Sequence, residues 1–395
     1  MGKACKTMVL TLLLAVLLGV SAQAMENDML KVGIKYGSDA MSSANLQNYS
    51  DFDGYAFGYY DSSREFTQLG YVGSECEKIT VTTDTTYAVE LNNEYASFDE
   101  ARTAAVGCGV AIVTPFHGGC VDYEAFRRLV DWQIESGTDA IIVCGTTGEA
   151  ATLTHEERTE LIKTCVAQVD HRVPVIAGSG SNNTAAAIRL SEEAQALGAD
   201  GLLVVTPYYN KATQRGLIRH FTAIADAVEL PVILYNVPSR TGVSCTAETY
   251  AALAQHPNIN GVKEASGSFT LIQDTLNLCP AGFSVWSGND EDTTAVMALG
   301  GKGVISVAAN IIPREMHTLT ELCQRDEFAA AGALQLRMAE LIRALFCEVN
   351  PIPVKAAMEE LALCGGELRL PMCGISSENR ARVKAAMERF GVAVP

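Results

Sequence analysis

From residue 107 onward, the chain alternates short apolar runs with longer amphipathic stretches. The apolar runs are rich in β-branched residues and have the length of buried strands, whereas the stretches between them repeat apolar residues with the 3.6-residue period of a helix. We predict strands at 109–113, 140–144, 173–177, 201–205, 232–235, 259–263, 284–287 and 303–306. Helices are predicted after the strands, for example at 122–136, 155–169, 184–197 and 215–228.

This alternation predicts an α/β fold, a (β/α)8 TIM barrel over residues 106–325. The helix ends support it, because Thr154 is a capping residue before one predicted helix and Gly137 and Gly198 close two others. A doubly wound open sheet is the alternative. No Gly-x-Gly-x-x-Gly motif begins a helix after the first strand, so a dinucleotide-binding fold has no direct support. Residues 326–395 predict a C-terminal helical subdomain without strands.

The start of the chain and its cysteines point to different compartments. Two lysines precede an apolar run, and small residues follow at Ala22 and Ala24, so residues 1–24 are predicted to be a secretion leader. The chain also has twelve cysteines with no Cys-x-x-Cys pair, and most lie in apolar runs. They are expected to be reduced core residues, which favours the cytoplasm. The leader conflicts with that expectation, and both interpretations stay open.

Residues 25–105 alternate short apolar runs with turn residues, which predicts a small β-rich segment of hairpins. Residues 31–38 and 43–46 weakly resemble the opening segment of secreted sporulation stage II D-type proteins, but the segment contains no catalytic constellation. A second interpretation is that residues 1–105 reflect a fusion or a misassigned start, with translation beginning at Val106. The net charge of −17 argues against a nucleic-acid partner, because binding to phosphates needs a basic patch.

Polar residues cluster where the predicted strands end. Active sites of such barrels form at the C-terminal ends of the strands, so these clusters are the candidates for chemistry. They lie at 145–149, 206–210, 235–242, 261–267, 287–290 and 303–306. They contain no His, Asp and Glu cluster with the spacing of metal ligands, so chemistry without a metal is the default.

Lys263 ends an apolar strand, and its amine is expected to enter the mouth of the barrel. Burial lowers the pKa of an amine, and a neutral lysine can attack a ketone to form an imine. The alternative is a structural lysine paired with a carboxylate such as Glu264. Tyr235 ends the neighbouring strand, where a phenol can move protons. It is otherwise an ordinary barrel aromatic.

Two further clusters are suited to carboxylates. Thr146 and Thr147 offer hydroxyl and backbone N–H groups in a turn before a helix, an arrangement that can bind an anion. Arg240 follows Pro238 on a stiff loop, and its planar guanidinium suits a second carboxylate. The alternatives are a simple tight turn and a surface arginine.

Six motifs resemble, in order, those of the dihydrodipicolinate synthase family. They lie at 111–116, 145–149, 205–210, 235–242, 261–265 and 350–355. The resemblance extends from about residue 107 to 395. It implies a class I aldolase that condenses pyruvate with L-aspartate 4-semialdehyde and needs neither cofactor nor metal. It also implies a homo-oligomer, a dimer of dimers, with no membrane partner for the barrel.

The resemblance also implies roles for individual residues. Lys263 matches the lysine that forms the Schiff base, and Tyr235, Thr146 and Tyr209 match its proton relay. In the family, the second tyrosine reaches across a dimer interface. The residues that match substrate-binding positions are Thr147 and Ile305 for pyruvate, Arg240 for the carboxylate of the aldehyde substrate, and Gly288 as a further candidate.

Related families leave alternatives. N-acetylneuraminate lyase and keto-deoxy sugar-acid aldolases share the lysine and tyrosine, but Arg240 favours an aldehyde that carries a carboxylate. A secreted envelope or binding protein with an inactive barrel is a remote alternative. Members that lysine inhibits carry a glutamate where this chain has Ala186 and a histidine where it has Arg158. We therefore expect an enzyme that lysine does not inhibit.

Overall fold

The computed structural model describes residues 107–392 and, before them, only six strands. The chain divides into two compact units, Met1–Ser97 and Phe98–Pro395. The six strands are β1 (Leu30–Lys31), β2 (Ser43–Leu46), β3 (Gly54–Tyr60), β4 (Phe66–Gly73), β5 (Ile79–Thr82) and β6 (Ala88–Leu91). They pair antiparallel as β3–β4 and as a sheet in the order β1-β6-β5-β2. The predicted leader, the alternative start at Val106 and the rest of the predicted β-rich segment lie outside the described residues.

In the second unit, eight parallel strands close into a barrel. The strands are β7 (Gly107–Ala111), β10 (Ala140–Val143), β11 (Val175–Gly178), β12 (Gly201–Val205), β13 (Val232–Asn236), β14 (Ile259–Glu264), β15 (Ser284–Ser287) and β16 (Gly303–Ser306). Each pairs with the next along the chain, and the last pairs with the first. This closure confirms the predicted barrel over the open sheet. A short hairpin of β8 (Phe116–His117) and β9 (Cys120–Val121) follows β7.

The first barrel strand begins two residues before the predicted start at residue 109. Gly107 has a φ of +124°, and a Cβ on Gly303 would lie 1.9 Å from the Gly107 carbonyl oxygen. Two glycines therefore let the strands that close the barrel approach each other. At the other end, Val113 leaves the strand because its N–H donates to the side chain of Asn310 at 3.1 Å.

Twelve α-helices are present in the described part of the second unit. They are α1 (Tyr123–Glu135), α2 (His155–Val169), α3 (Thr184–Ala196), α4 (Gln214–Ala225), α5 (Pro238–Thr241), α6 (Ala247–Leu253), α7 (Phe269–Leu278), α8 (Thr293–Ala298), α9 (Pro313–Gln324), α10 (Phe328–Ala344), α11 (Ile352–Glu360) and α12 (Ser377–Phe390). Thr154 caps α2 in a capping box with Glu157, and Gly137 and Gly198 follow helices with positive φ. Among these described helices, none is long and apolar enough to cross a membrane.

Helices α10 to α12 form the C-terminal helical part, as the sequence predicts, although the boundary at residues 325 and 326 stays a prediction. A buried ion pair links it to the barrel. Lys355 of α11 donates to Glu149 at 2.7 Å and to the carbonyl of Thr114 at 3.0 Å, and both charged side chains are fully buried. The ammonium also lies 4.3 Å from the centre of the Phe116 ring. Helix α11 is thereby held against the C-terminal end of the barrel.

Candidate active site

A cavity of about 180 Å³ opens at the C-terminal ends of the barrel strands. Six of the eight candidate residues line it, and they come from four separate stretches of the chain. They are Thr146, Thr147, Tyr235, Arg240, Lys263 and Gly288. The structure therefore brings most of the predicted site together at the end of the barrel where the sequence places it.

Lys263 places a buried amine in this cavity. Its strand β14 alternates inward and outward side chains, and Lys263 points inward beside Tyr235, its direct neighbour on β13. The side chain is 5% exposed, and its Nζ lies 4.6 Å from the centre of the Tyr235 ring. Burial lowers the pKa of the Lys263 amine to about 8, while the charge of Asp290 opposes the shift and that of Arg240 adds to it. A substantial fraction of the amine is therefore neutral near pH 7–8.

The neighbouring carboxylate of Glu264 does not pair with Lys263. Its side chain points to the other face of the strand, where it accepts from Asn236 at 3.0 Å, from the Tyr250 hydroxyl at 2.8 Å and from the Ser266 backbone N–H at 2.8 Å. Glu264 is thus satisfied outside the cavity. The alternative of a structural ion pair between the two residues is wrong, because adjacent residues of a strand face opposite ways.

Tyr235 connects Lys263 with the turn at residues 145–149. Burial raises the pKa of the Tyr235 phenol, and a hydrogen bond to the Thr146 side chain opposes part of that shift. The phenol therefore stays protonated at neutral pH. A protonated phenol that is linked to a hydroxyl can pass a proton on and receive another, as a relay requires.

The residues suited to carboxylates also line the cavity. Thr147 is buried, and its hydroxyl oxygen accepts from the Asn350 amide at 3.0 Å. Arg240, in the short helix α5, is exposed to the cavity and donates to the Asn350 carbonyl at 3.1 Å. Within residues 107–392, the backbone N–H groups of Thr146 and Thr147 have no acceptor. This wall therefore offers a guanidinium, a hydroxyl and backbone donors to anions.

Two candidate residues are not on the cavity wall. Tyr209 has a positive φ of +69° and a side chain that is 89% exposed. Ile305 is buried in the apolar cluster that fills the barrel interior, together with Ile142 and Trp286. The single chain therefore brings Thr146 and Tyr235 together but leaves Tyr209 outside.

Sequence reasoning assigned no role to two residues that contribute to the site. Asp290 is buried, and its carboxylate accepts from the backbone N–H groups of Val307 and Ala308, both at 3.1 Å. Burial raises its pKa, and the positive charge of Lys263 opposes that shift. Asn350 is the second residue. Asp290 lies in the polar cluster after β15, and Asn350 begins the motif at 350–355, so the sequence had singled out both regions. Only the fold shows what the two side chains contact.

Comparison with known proteins agrees with this geometry. Residues 104–390 match the profile of the dihydrodipicolinate synthetase family. Over 284 residues, the chain is 49% identical to the 4-hydroxy-tetrahydrodipicolinate synthase of Clostridium novyi, covering 72% of this chain and 96% of that protein. It is 51% identical to the synthase of Geobacter metallireducens, covering 98% of that protein.

Solved structures give the same picture. The crystal structure of dihydrodipicolinate synthase from Aquifex aeolicus superposes with a TM-score of 0.72 at 43% sequence identity. The match covers 73% of this chain and 99% of the Aquifex chain. The similarity therefore spans nearly the whole of these proteins.

Proposed function

This chain belongs to the dihydrodipicolinate synthetase family, and on that premise we propose that Lys263 carries the family's reaction. The protein is a lyase, a 4-hydroxy-tetrahydrodipicolinate synthase, which condenses pyruvate with L-aspartate 4-semialdehyde. The reaction is the first committed step of the diaminopimelate route to lysine. It runs through a Schiff base between pyruvate and a lysine, without an external cofactor. The residues that perform it here are the proposal.

The single observation that supports Lys263 most is its state in the cavity. The amine is buried next to Tyr235, its pKa is lowered to about 8, and its neighbour Glu264 bonds elsewhere. A neutral amine has the lone pair that attacks the ketone carbon of pyruvate. In the first step, the C–N bond forms and the ketone oxygen leaves as water after two proton transfers. We assign those proton transfers to Tyr235 and Thr146, whose side chains share a hydrogen bond.

The imine then withdraws electrons from the methyl group of pyruvate. A proton leaves that carbon, and the resulting enamine attacks the aldehyde carbon of the second substrate. The new alkoxide takes a proton, and the amine of the former aspartate semialdehyde attacks the imine carbon. Ring closure expels the Lys263 amine, so the lysine is regenerated. Each proton transfer needs a donor and an acceptor near neutral pH, which a tyrosine–threonine relay supplies.

Arg240 distinguishes this reaction from its nearest rival. It lies at the edge of the cavity and donates to a neutral backbone carbonyl, so its positive charge can still bind a substrate carboxylate. L-aspartate 4-semialdehyde carries such a carboxylate at the end opposite its aldehyde, whereas the sugar substrates of sugar-acid aldolases offer hydroxyl groups. A comparison of kcat/KM for the two aldehyde classes distinguishes the synthase from a sugar-acid aldolase. Turnover of the sugar aldehyde at the higher rate would assign the chain to the rival activity.

We also propose that the working enzyme is a homo-oligomer, a dimer of dimers. Tyr209 is 89% exposed in the single chain, as expected for a side chain that completes the relay of a second subunit. Ile305 and Gly288 are proposed to contact pyruvate, the former through its backbone because its side chain faces the barrel interior. We place the enzyme in the cytoplasm, as its cysteine-rich apolar runs favour, although the leader pattern of residues 1–24 conflicts with this.

Chemical trapping tests the proposal directly. Borohydride reduction of the protein in the presence of pyruvate is expected to fix one adduct on Lys263, located by mass spectrometry of the peptides. Lys355→Arg is the matched control, since that lysine is also buried but pairs with Glu149. Lys263→Arg should abolish trapping while the protein stays folded. An adduct on another lysine, or none, would refute the assignment.

A further inference from the structure

Asn350 joins the C-terminal helices to both carboxylate-binding residues of the cavity. It precedes helix α11, is 5% exposed and lines the same cavity as Lys263. Thr147 lies 203 residues away along the chain and Arg240 lies 110 residues away. It begins the motif at residues 350–355, yet the proposed reaction steps assign it no role.

The two contacts of Asn350 differ in kind. Its side-chain amide donates to the Thr147 hydroxyl oxygen at 3.0 Å, whereas its backbone carbonyl accepts from Arg240 at 3.1 Å. An amide N–H can only donate, so the Thr147 oxygen is the acceptor in the first contact. The hydroxyl proton of Thr147 is then left to point at another acceptor. In the cavity, that acceptor is the carboxylate that Thr147 is proposed to bind.

The same segment holds the turn at a second point. Five residues after Asn350, Lys355 forms the buried ion pair with Glu149, which is two residues after Thr147. The turn therefore cannot shift relative to α11 without breaking a buried contact. This rigidity keeps the amide of Asn350 in reach of the Thr147 hydroxyl.

We propose that Asn350 is a positioning residue that makes Thr147 a hydrogen-bond donor to pyruvate and holds Arg240 towards the second substrate. The inference rests on the proposed function, because it takes Thr147 and Arg240 as the two carboxylate-binding residues. The side chain acts on pyruvate alone, since the contact with Arg240 uses the backbone. Substitutions of the Asn350 side chain should therefore weaken pyruvate binding while changing the KM of the aldehyde little.

Two substitutions test the direction of the hydrogen bond. Asn350→Leu removes the donor at similar volume, and Asn350→Asp replaces it with an acceptor, towards which Thr147 would turn its proton. Each should raise the pyruvate concentration for half-maximal borohydride trapping about tenfold or more, the range expected for one hydrogen bond to a charged group. The KM of the aldehyde should change less than about threefold, a small effect on this scale. If Asn350→Asp behaves like the unaltered protein, the amide was accepting and the proposal is wrong.

A double-mutant cycle with Thr147→Val separates this role from a general loss of structure. When Thr147 has no hydroxyl, Asn350→Leu should add less than about a twofold further loss of pyruvate trapping. Losses that simply multiply, or an aldehyde KM that rises as much as the pyruvate value, would overturn the proposal. Thermal unfolding of each variant identifies any that fail to fold, and Thr147→Ala, which also removes the hydroxyl, then serves in the cycle with Asn350→Ala. If the unaltered protein traps no pyruvate at Lys263, it is the proposed function that fails instead.

Discussion

Lys263 and Lys355 are both buried lysines of the same fold, and their surroundings give them different tasks. Lys355 donates to the Glu149 carboxylate and to a carbonyl. Lys263 has no hydrogen-bond acceptor among residues 107–392, and only the more distant charge of Asp290 favours its ammonium form. Burial lowers the pKa of both amines. The ion pair with Glu149 keeps Lys355 charged and structural. Within the part of the chain that the structure describes, Lys263 has no such partner, so its amine can act as a nucleophile.

The pKa of Lys263 predicts how trapping depends on pH. Only the neutral amine attacks pyruvate, and its fraction falls about tenfold per pH unit below a pKa of about 8. The apparent second-order rate of imine formation should therefore rise with pH and level off above about pH 8. Asp290→Asn removes a charge that raises this pKa, so the profile should move to lower pH. Borohydride trapping across a pH series measures the rate profile of the unaltered protein and of Asp290→Asn. An unchanged profile for Asp290→Asn would contradict the role of Asp290.

Tyr209→Phe tests the third member of the relay. The assigned task is proton transfer rather than substrate contact, so kcat should fall by about tenfold or more while pyruvate binding changes little. Tyr208→Phe, at the neighbouring position, is the matched control and should keep kcat. Steady-state kinetics decide, and an unchanged kcat with a raised pyruvate KM would mean that Tyr209 binds substrate.

Lysine inhibition is a further prediction at this scale. Where lysine-inhibited members of the family carry a glutamate, this chain has Ala186, which has no carboxylate for the ammonium of lysine, and where they carry a histidine it has Arg158, with a fixed positive charge. The guanidinium of Arg158 is turned to the Gly178 carbonyl. Loss of one charge-assisted hydrogen bond costs about 1.5–3 kcal/mol, or roughly one to two powers of ten in affinity, and the like charge weakens binding further. Initial rates should therefore be unaffected by lysine up to about a millimolar. A site with a binding free energy of about −4.1 kcal/mol would be half-occupied at that concentration. Half-inhibition below that concentration would contradict this.

At the scale of elements, the turn at 145–149 and helix α11 act as one unit. Glu149 adopts a left-handed conformation with φ of +52°, which aims its carboxylate at Lys355 and, through the other oxygen, at the backbone N–H of Arg369 at 3.2 Å. Arg369 also forms a bidentate pair with Glu157 of α2. The C-terminal helical part is thus tied to the cavity-lining turn at residues 145–149.

Removing one member of the buried pair should be costly. Lys355→Met leaves Glu149 charged and unpaired in the interior, which typically costs about 3–5 kcal/mol. Adding Glu149→Gln should recover part of this loss, since no charge then remains buried. Arg389→Met breaks an exposed pair with Glu340 and should cost no more than about 1 kcal/mol. Chemical unfolding measures all three, and equal losses for the buried and exposed pairs would refute the argument.

At the scale of the whole molecule, the match to the enzyme family lies in the second unit. The family match covers residues 104–390, and every residue assigned to the cavity lies within 107–392. This portion spans 96% of the Clostridium synthase and 98% of the Geobacter synthase. We therefore expect the residues before it to be dispensable for catalysis.

A chain that begins at Val106 should fold and keep its kcat. The full chain, prepared in parallel, is the control, and steady-state kinetics with sedimentation of both proteins measure activity and assembly. Loss of activity in a soluble, folded 106–395 protein would show that the first 105 residues take part in the site or in assembly. N-terminal sequencing of the native protein determines which start the cell uses.

The sequence by itself determined the barrel and the place of its site. Strands of period two and helices of period 3.6 depend on neighbours a few residues away, so a linear pattern records them. Most predicted strands agree with the observed ones to within two residues, as for β12, β15 and β16. Polar residues at strand ends placed Lys263, Tyr235 and the threonine turn at one mouth, because parallel strands of a barrel all end on the same side.

The tertiary structure alone decided which groups pair. Glu264 follows Lys263 directly in the chain, yet its partners are Asn236 and Tyr250, whereas Glu149 pairs with Lys355, 206 residues away. Asn350 likewise meets Thr147 across 203 residues. Such contacts, and the desolvation that lowers the pKa of Lys263, depend on how distant elements pack and exclude water. A local pattern contains no information on that packing, so the sequence could name the residues of the site but not the charge state or the partners that make them act.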